Sequence, residues 1–203
     1  LLETISLFIG SYLFGSIPVG VIVGRAFGFD PRKVGSGNIG MTNVSRAGGK
    51  GAGTVTFVGD LLKGFIPAFA ARISGLPPQL VALVGLAAFL GAISSVFLGF
   101  QGGKGVSAAF GIWLAIAPIP ILIALGVFIA LFAAFRIVSL SSIGAAIALV
   151  PSAAAARVPR PYLGLAILMT AMVLLRHHEN IARLIKGTEP SVGDKRAASG
   201  NPG

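Results

Sequence analysis

GVSAAFGIWLAIAPIPILIALGVFIALFAAF, residues 105–135, carries no charge over its whole length and is interrupted only where Pro118-Ile119-Pro120 divides it. Whether this stretch crosses a bilayer once, kinked, or twice, as a tight hairpin, sets the parity of everything that follows. Further apolar runs lie at 4–24, 52–71, 80–100, 139–156 and 162–175. A full span takes about 20 residues. Several runs are shorter, which is tolerated where helices surround a polar cavity or the bilayer thins.

Charge decides between the readings. Lys63 sits inside a run and is set aside. With a hairpin the chain has seven spans and its N-terminus outside. Twelve basic residues then lie inside, and Arg72, Arg157 and Arg160 lie outside. A single kinked span would give six passes and an 8 to 7 split, against the positive-inside tendency. The hairpin also gathers every polar cluster on the cytoplasmic face. The expected fold is therefore an all-α integral membrane protein of seven transmembrane helices, with the C-terminus and a loop-built active site on the cytoplasmic side.

Composition agrees. Of 203 residues, 55% are hydrophobic and 11% charged, and mean hydropathy is +0.91. A soluble domain has roughly 25% charged residues, so this chain belongs in a membrane. The absence of cysteine excludes disulfides and thiolate chemistry. Two adjacent histidines and six scattered carboxylates supply no metal-ligand spacing; H-E-x-x-H from His178 would need a second histidine where Ala182 stands. The net charge of +10 is spread in ones and twos beside apolar runs, which suits topology and an anionic substrate rather than nucleic acid. Residues 1–186 read as one membrane domain. Beyond Lys186, GTEPSVGDKRAASGNPG has no apolar periodicity, and 187–203 are expected to be a disordered tail.

Three clusters carry chemistry: GSGNIGMTNVSRAGGKG at 35–51, GFQGGKG at 99–105 and RHHENIARL at 176–184. Glycine permits close backbone approach, and amide N–H groups with Lys or Arg hold phosphate. In the first, Ser36, Gly37, Asn38, Thr42 and Asn43 offer hydroxyls and amides, and Arg46 can grip phosphate with two prongs. A Walker P-loop is excluded because Lys50 is followed by Gly51. The competing reading is a flexible turn. In the second, Gly102, Gly103 and Lys104 open a helix, where N–H groups and an ammonium make an anion site. Lys104 as an ordinary inside-facing lysine is the alternative. In the third, Arg176, Asn180 and Arg183 share a helical face, and His177 can act as general base or simply bond a neighbouring loop. Asp60 and Lys63, three residues apart within an apolar run, pair with each other or support the site. Arg136 is followed by Ser139, Ser141 and Ser142, whose hydroxyls commonly bond the backbone one turn earlier.

Taken in order, these clusters with GSIPVG at 15–20, DLLKG at 60–64 and RIVSLSSI at 136–143 resemble the PlsY family, bacterial membrane glycerol-3-phosphate acyltransferases that use acyl phosphate. The resemblance spans nearly the whole chain. It implies transfer of a fatty acyl group to the 1-hydroxyl of glycerol 3-phosphate, releasing lysophosphatidic acid and inorganic phosphate, without metal or other cofactor. It further implies a multi-pass protein of the bacterial inner membrane, monomeric, whose partners are its two substrates and the surrounding lipid. By the same correspondence Lys104, His177, Asn180 and Ser142 are catalytic. Ser36, Gly37, Asn38, Thr42, Asn43, Arg46, Gly102, Gly103, Glu179 and Arg183 bind substrate, with Asp60 and Lys63 in support.

Departures from the family pattern concentrate before the glycine loop. Ala92 stands for a histidine, Ser95 for a proline and Gln101 for a lysine; Met41 replaces a small residue, and Ser107-Ala108 replace Ala-Thr. Losing the cation at 101 weakens anion attraction, so a slower relative is one reading. The rivals are a transporter of organic phosphates, which should place polar groups at both faces and the midplane, and a CDP-alcohol phosphotransferase, which needs a carboxylate cluster for metal.

Overall fold

The computed structural model describes residues 2–193. Among them the secondary structure is helical, apart from one isolated bridge between Ser95 and Gln101. The α-helices are α1 (Leu2–Gly15), α2 (Val19–Ala26), α3 (Met41–Ile73), α4 (Pro78–Ile93), α5 (Val106–Ile116), α6 (Pro118–Phe135), α7 (Val138–Ala155), α8 (Arg160–Arg176) and α9 (His178–Ile185). The chain forms two compact units that meet in sequence between Pro118 and Ile119.

Four segments are long and apolar enough to cross a membrane: Thr4–Ala26, Met41–Ile73, Pro118–Phe135 and Val138–Ala155. The remaining apolar helices are shorter, α4 with 16 residues and α5 with 11. At about 1.5 Å per residue, α5 is about 17 Å long, well short of a bilayer core of about 30 Å. The run at 105–135 is two helices. Ala117, at φ −154° and ψ 88°, leaves the helical region, and Pro118 starts α6 at the position where its missing N–H costs nothing.

In the first unit, small residues occupy the interior. Ala52, Ala68, Ala87 and Ala88 are fully buried, whereas Ile22, Val55, Ile66 and Leu83 face outward. That inverted pattern suits lipid, where helices associate by close packing rather than by hiding large apolar groups from water. Two reciprocal contacts set it. A methyl on Gly64 would lie 2.2 Å from the Ala108 carbonyl oxygen, and one on Gly111 would lie 2.0 Å from that of Leu61, so α3 and α5 touch backbone to backbone. Gly15 and Gly91 do the same for α1 and α4. Arg72, in the last turn of α3, donates to the Ala115 carbonyl at 2.7 Å and so satisfies an end of α5. The expected pairing within α3 is present: Lys63 Nζ lies 2.8 Å from Asp60 Oδ1, with both side chains nearly buried.

In the second unit, Arg136, at φ 56°, turns the chain from α6 into α7, and Thr170 Oγ1 ties α8 to the Ala146 carbonyl of α7 at 2.8 Å. Residues 187–193, the start of the expected tail, make hydrogen bonds to the rest of this unit. Val192 N–H donates to the Arg136 carbonyl at 2.8 Å, and Glu189 is bound on three sides. A carboxylate surrounded by donors supplies the stabilisation that apolar periodicity lacks there. The remainder of that tail, 194–203, lies outside the described residues.

Candidate active site

The first cluster is a loop only as far as Gly40. From Met41 the chain is helical, so an expected glycine loop over 35–51 is instead a short loop leading into the N-terminus of α3, with a break at Gly49 (φ 82°, ψ 176°). Such a terminus presents unpaired N–H groups and favours anions. Upstream, Asp30 accepts from the backbone N–H and the guanidinium of Arg32, fixing the entry to the loop.

Asn43 organises this segment. Buried to 3% exposure, its Oδ1 accepts from Ser36 N–H at 3.0 Å, and its Nδ2 donates to the carbonyls of Pro31, Val34 and Asn38 at 2.8, 3.0 and 2.8 Å. Its amide is turned on the loop's own backbone, so Asn43 shapes this segment. Alanine at Asn43 is expected to destabilise the protein by about 1–3 kcal/mol, the cost of stranding buried backbone groups. Aspartate should do no better, since an oxygen would then face three carbonyls; thermal unfolding in detergent reads both.

Asn38 Oδ1 accepts from Gly40 N–H at 2.8 Å, and a methyl on Gly103 would stand 3.9 Å from that same oxygen. The first two clusters therefore meet, with Asn38 beside Gly103 and Lys104 next in sequence. The glycine loop is anchored by Gly103 N–H on the Ala92 carbonyl at 3.1 Å. It ends at Gly105, where φ is 79° and any Cβ would strike the Phe89 ring at 2.5 Å. Ser36, Gly37 and Arg46 are exposed, and Thr42 and Lys104 half-buried, on this side of the unit. Gln101 is exposed at the same loop. Lysine there is expected to raise kcat/KM by about two- to fivefold at low salt, an advantage that should vanish near 1 M salt as screening shortens to about 3 Å.

The second unit builds its own polar centre. Ser139 Oγ and Asn180 Nδ2 donate to Glu189 Oε1 at 2.6 and 2.5 Å, and Arg183 Nε donates to Glu189 Oε2 at 2.6 Å. Burial alone would raise the Glu189 carboxyl. The hydrogen bonds from Ser139, Asn180 and Arg183, with the Arg183 charge, outweigh it and hold the group below the usual carboxylate range. Glu179, the acid expected here, is instead 72% exposed and only 3.9 Å from Arg183 Nη1, an outward-facing pair. Glu189, which motif reading did not single out, is the carboxylate that these side chains surround.

His177 is not within a helix but joins α8 to α9, at φ −104° and ψ 10°. It is buried, and its Nδ1 lies 2.8 Å from the Val173 carbonyl. A carbonyl only accepts, so Nδ1 carries the proton, and in the neutral ring Nε2 is the basic atom. Ser142 Oγ donates to the Val138 carbonyl at 2.9 Å and Ser141 Oγ to that of Ile137 at 2.8 Å. The hydroxyl proton of Ser142 is thus committed one turn back, and the oxygen is left as an acceptor. Asp60 and Lys63 join neither polar centre directly; their pair is attached to the Ile17 carbonyl.

An apolar helical frame, four of whose segments are long and apolar enough to cross a membrane, with glycine-rich polar segments at helix ends, defines an integral membrane protein. The family described as glycerol-3-phosphate acyltransferase matches residues 5–187, and the chain belongs to it. A glycerol-3-phosphate acyltransferase of Trichlorobacter lovleyi is 50% identical over 181 residues, 89% of this chain and 93% of that protein. One from Geobacter sulfurreducens is 48% identical over 180 residues, 88% and 92% of the two chains. Two solved structures of PlsY, an integral membrane glycerol 3-phosphate acyltransferase, share 41% identity with it. The glycerol 3-phosphate form superposes with a TM-score of 0.91 over 97% of this chain and 99% of that one. The lysophosphatidic acid form gives 0.89 over 96% and 98%.

Proposed function

We propose that this enzyme transfers a fatty acyl group from acyl phosphate to the 1-hydroxyl of glycerol 3-phosphate at the cytoplasmic face of the bacterial inner membrane. The supporting topology takes α1 with α2 as one span and α3 to α8 as six more, seven in all, N-terminus outside and α9 on the cytoplasmic surface. Charge placement supports that orientation. The protein acts as a monomer, with lipid around it.

The observation that carries the reading is the meeting of Asn38 with Gly103, which sets two anion-binding segments and Lys104 at one place. Acyl phosphate is a mixed anhydride, already activated, so the difficulty lies in bringing two anions together. Lys104 and Arg46, with the helix-start dipole of α3, neutralise the phosphates, and proximity supplies much of the rest. The glycerol hydroxyl oxygen attacks the carbonyl carbon, the bond from that carbon to the phosphate oxygen breaks, and inorganic phosphate leaves. The hydroxyl proton goes to His177 Nε2 or to a substrate phosphate oxygen. Asn180 and Arg183 position the acceptor, and Ser142 offers its lone pairs. Direct transfer is favoured over an acyl-enzyme because the Ser142 hydroxyl proton is bonded to the Val138 carbonyl.

Purified protein in detergent, given palmitoyl phosphate and glycerol 3-phosphate, should release phosphate and lysophosphatidic acid in equal amounts, and only with both substrates present. Phosphate release without the acceptor, with acyl label retained on Ser36 or Ser142, would overturn direct transfer. Uptake of glycerol phosphate into vesicles without acylation would favour the transporter.

A further inference from the structure

We propose that Ser95 is a positioning residue for the Gly102–Lys104 loop, its hydroxyl tying that loop to the interruption between α1 and α2. The inference rests on the reading of that loop as an anion site. Between Gly15 and Val19 the first span leaves regular helical bonding: Val19 N–H turns back to the Ile17 carbonyl at 2.9 Å and Val21 N–H takes the Pro18 carbonyl at 3.0 Å. Side chains reach both carbonyls at this interruption, that of Ser16 and, beside Val19 N–H, that of Ile17. Ser95 Oγ donates to the Ser16 carbonyl at 2.6 Å, and Lys63 Nζ, held by Asp60, donates to that of Ile17 at 3.3 Å.

Ser95 is also the point at which the loop closes. Its N–H donates to the Gln101 carbonyl at 3.2 Å, and its own carbonyl accepts from Phe100 N–H at 2.8 Å. Gly103, two residues beyond Gln101, is anchored to Ala92. One residue therefore joins the rigid end of α1 to both ends of the turn that delivers Lys104. The tie is shielded from water: Ser16 is 1% exposed and Ser95 2%. Such a bond is not readily replaced by solvent, and Ser16 Oγ, buried without a partner, shows that polar atoms are scarce here. Tyr12 OH on the Ser94 carbonyl at 2.7 Å is a second, weaker-placed tether, so removing the Ser95 hydroxyl loosens the loop without releasing it. Where the family pattern has proline, which would fix this corner through its ring, this chain fixes it through hydrogen bonds.

Hydrogen exchange on the purified protein in detergent tests this apart from catalysis. Ser95→Ala should speed exchange of the amides at 100–103 by about tenfold, with peptides from α3 and α7 unchanged. Ser95→Thr, which keeps a hydroxyl on the same carbon, should restore slow exchange. In the acylation assay the alanine variant should raise KM by about three- to tenfold with a smaller change in kcat, because the loop binds less well when less ordered. Unchanged exchange at 100–103 in Ser95→Ala, or acceleration spread equally through α3, would overturn the proposal. Wild-type protein that turns over neither substrate would overturn the acyltransferase reading instead, and the exchange measurement would still decide on Ser95.

Discussion

Alanine at Lys104 is expected to lower kcat/KM by about 10²–10³-fold, the cost of deleting one well-placed group that stabilises transition-state charge. The estimate follows from electrostatics. A unit charge about 5 Å from another in surroundings of effective dielectric about 20 interacts by about 3 kcal/mol, which is about two powers of ten in rate. Lys104 comes straight after Gly103, whose Cα region borders Asn38 Oδ1, so its ammonium starts from the point where the two anion segments meet. Thermal unfolding of Lys104→Ala, measured beside the rates, separates a loss of charge at the site from a loss of stability. Arginine should recover part of the loss, because it restores the charge but spreads it over a planar fork that a tight glycine turn accommodates poorly. Initial rates of phosphate release at low substrate, with both variants beside wild type, make the comparison. An alanine variant within about threefold of wild type would leave Lys104 as a topology lysine and remove the central cation from the mechanism.

The frame of the molecule was legible because bilayer solvation imposes long apolar runs, and the proline pair at 118–120 ended a helix where its chemistry says it must. The helix starts inside the first cluster were less legible. Met41–Lys50 is rich in glycine, which argues for loop, yet α3 begins there because Asn43 pins the loop from within and Gly49 absorbs the resulting break. Asp60 with Lys63 was readable from spacing alone, since a three-residue offset places both on one face of a helix. Residue type marked Asn43 as a ligand, and the family resemblance marked Glu179. Only tertiary contacts show that Asn43's amide is turned inward on backbone and that Glu179 points outward. Ser95 was noted as a missing proline; its hydrogen bond spans 79 positions in the chain, beyond the reach of any local pattern. Glu189 escaped for the same reason in a different form. An acid in a segment without periodicity carries no signal until the donors that surround it are known.

Replacing that acid supplies the second large effect. Glu189→Ala should destabilise the protein by about 2–4 kcal/mol, somewhat below the cost of breaking a fully buried ion pair because Arg183 is 38% exposed. Activity should fall further, by about 10²-fold, since Asn180 and Arg183 lose the acceptor that fixes their geometry and small misplacements of positioning groups are costly. Glutamine at 189 separates shape from charge. It fills the same space, but one oxygen must serve Ser139, Asn180 and Arg183, or its amide must face the guanidinium. The pH dependence gives an independent reading. The folded-state carboxyl titrates below the unfolded value of about 4.3, so its contribution is complete above that value and is lost as pH falls through the depressed one. Wild-type thermal stability should therefore drop more steeply than that of Glu189→Gln as the solution is acidified below about pH 4.3. Thermal scans between neutral pH and about pH 3 on both proteins make the test, and parallel curves would mean that Glu189 is not held as an anion by this cluster. Because Arg183 and Asn180 are also the proposed ligands of the acceptor substrate, the same carboxylate that folds residues 187–193 back onto α7 and α9 orients half of the chemistry. Stability and catalysis should then fail together when it is removed.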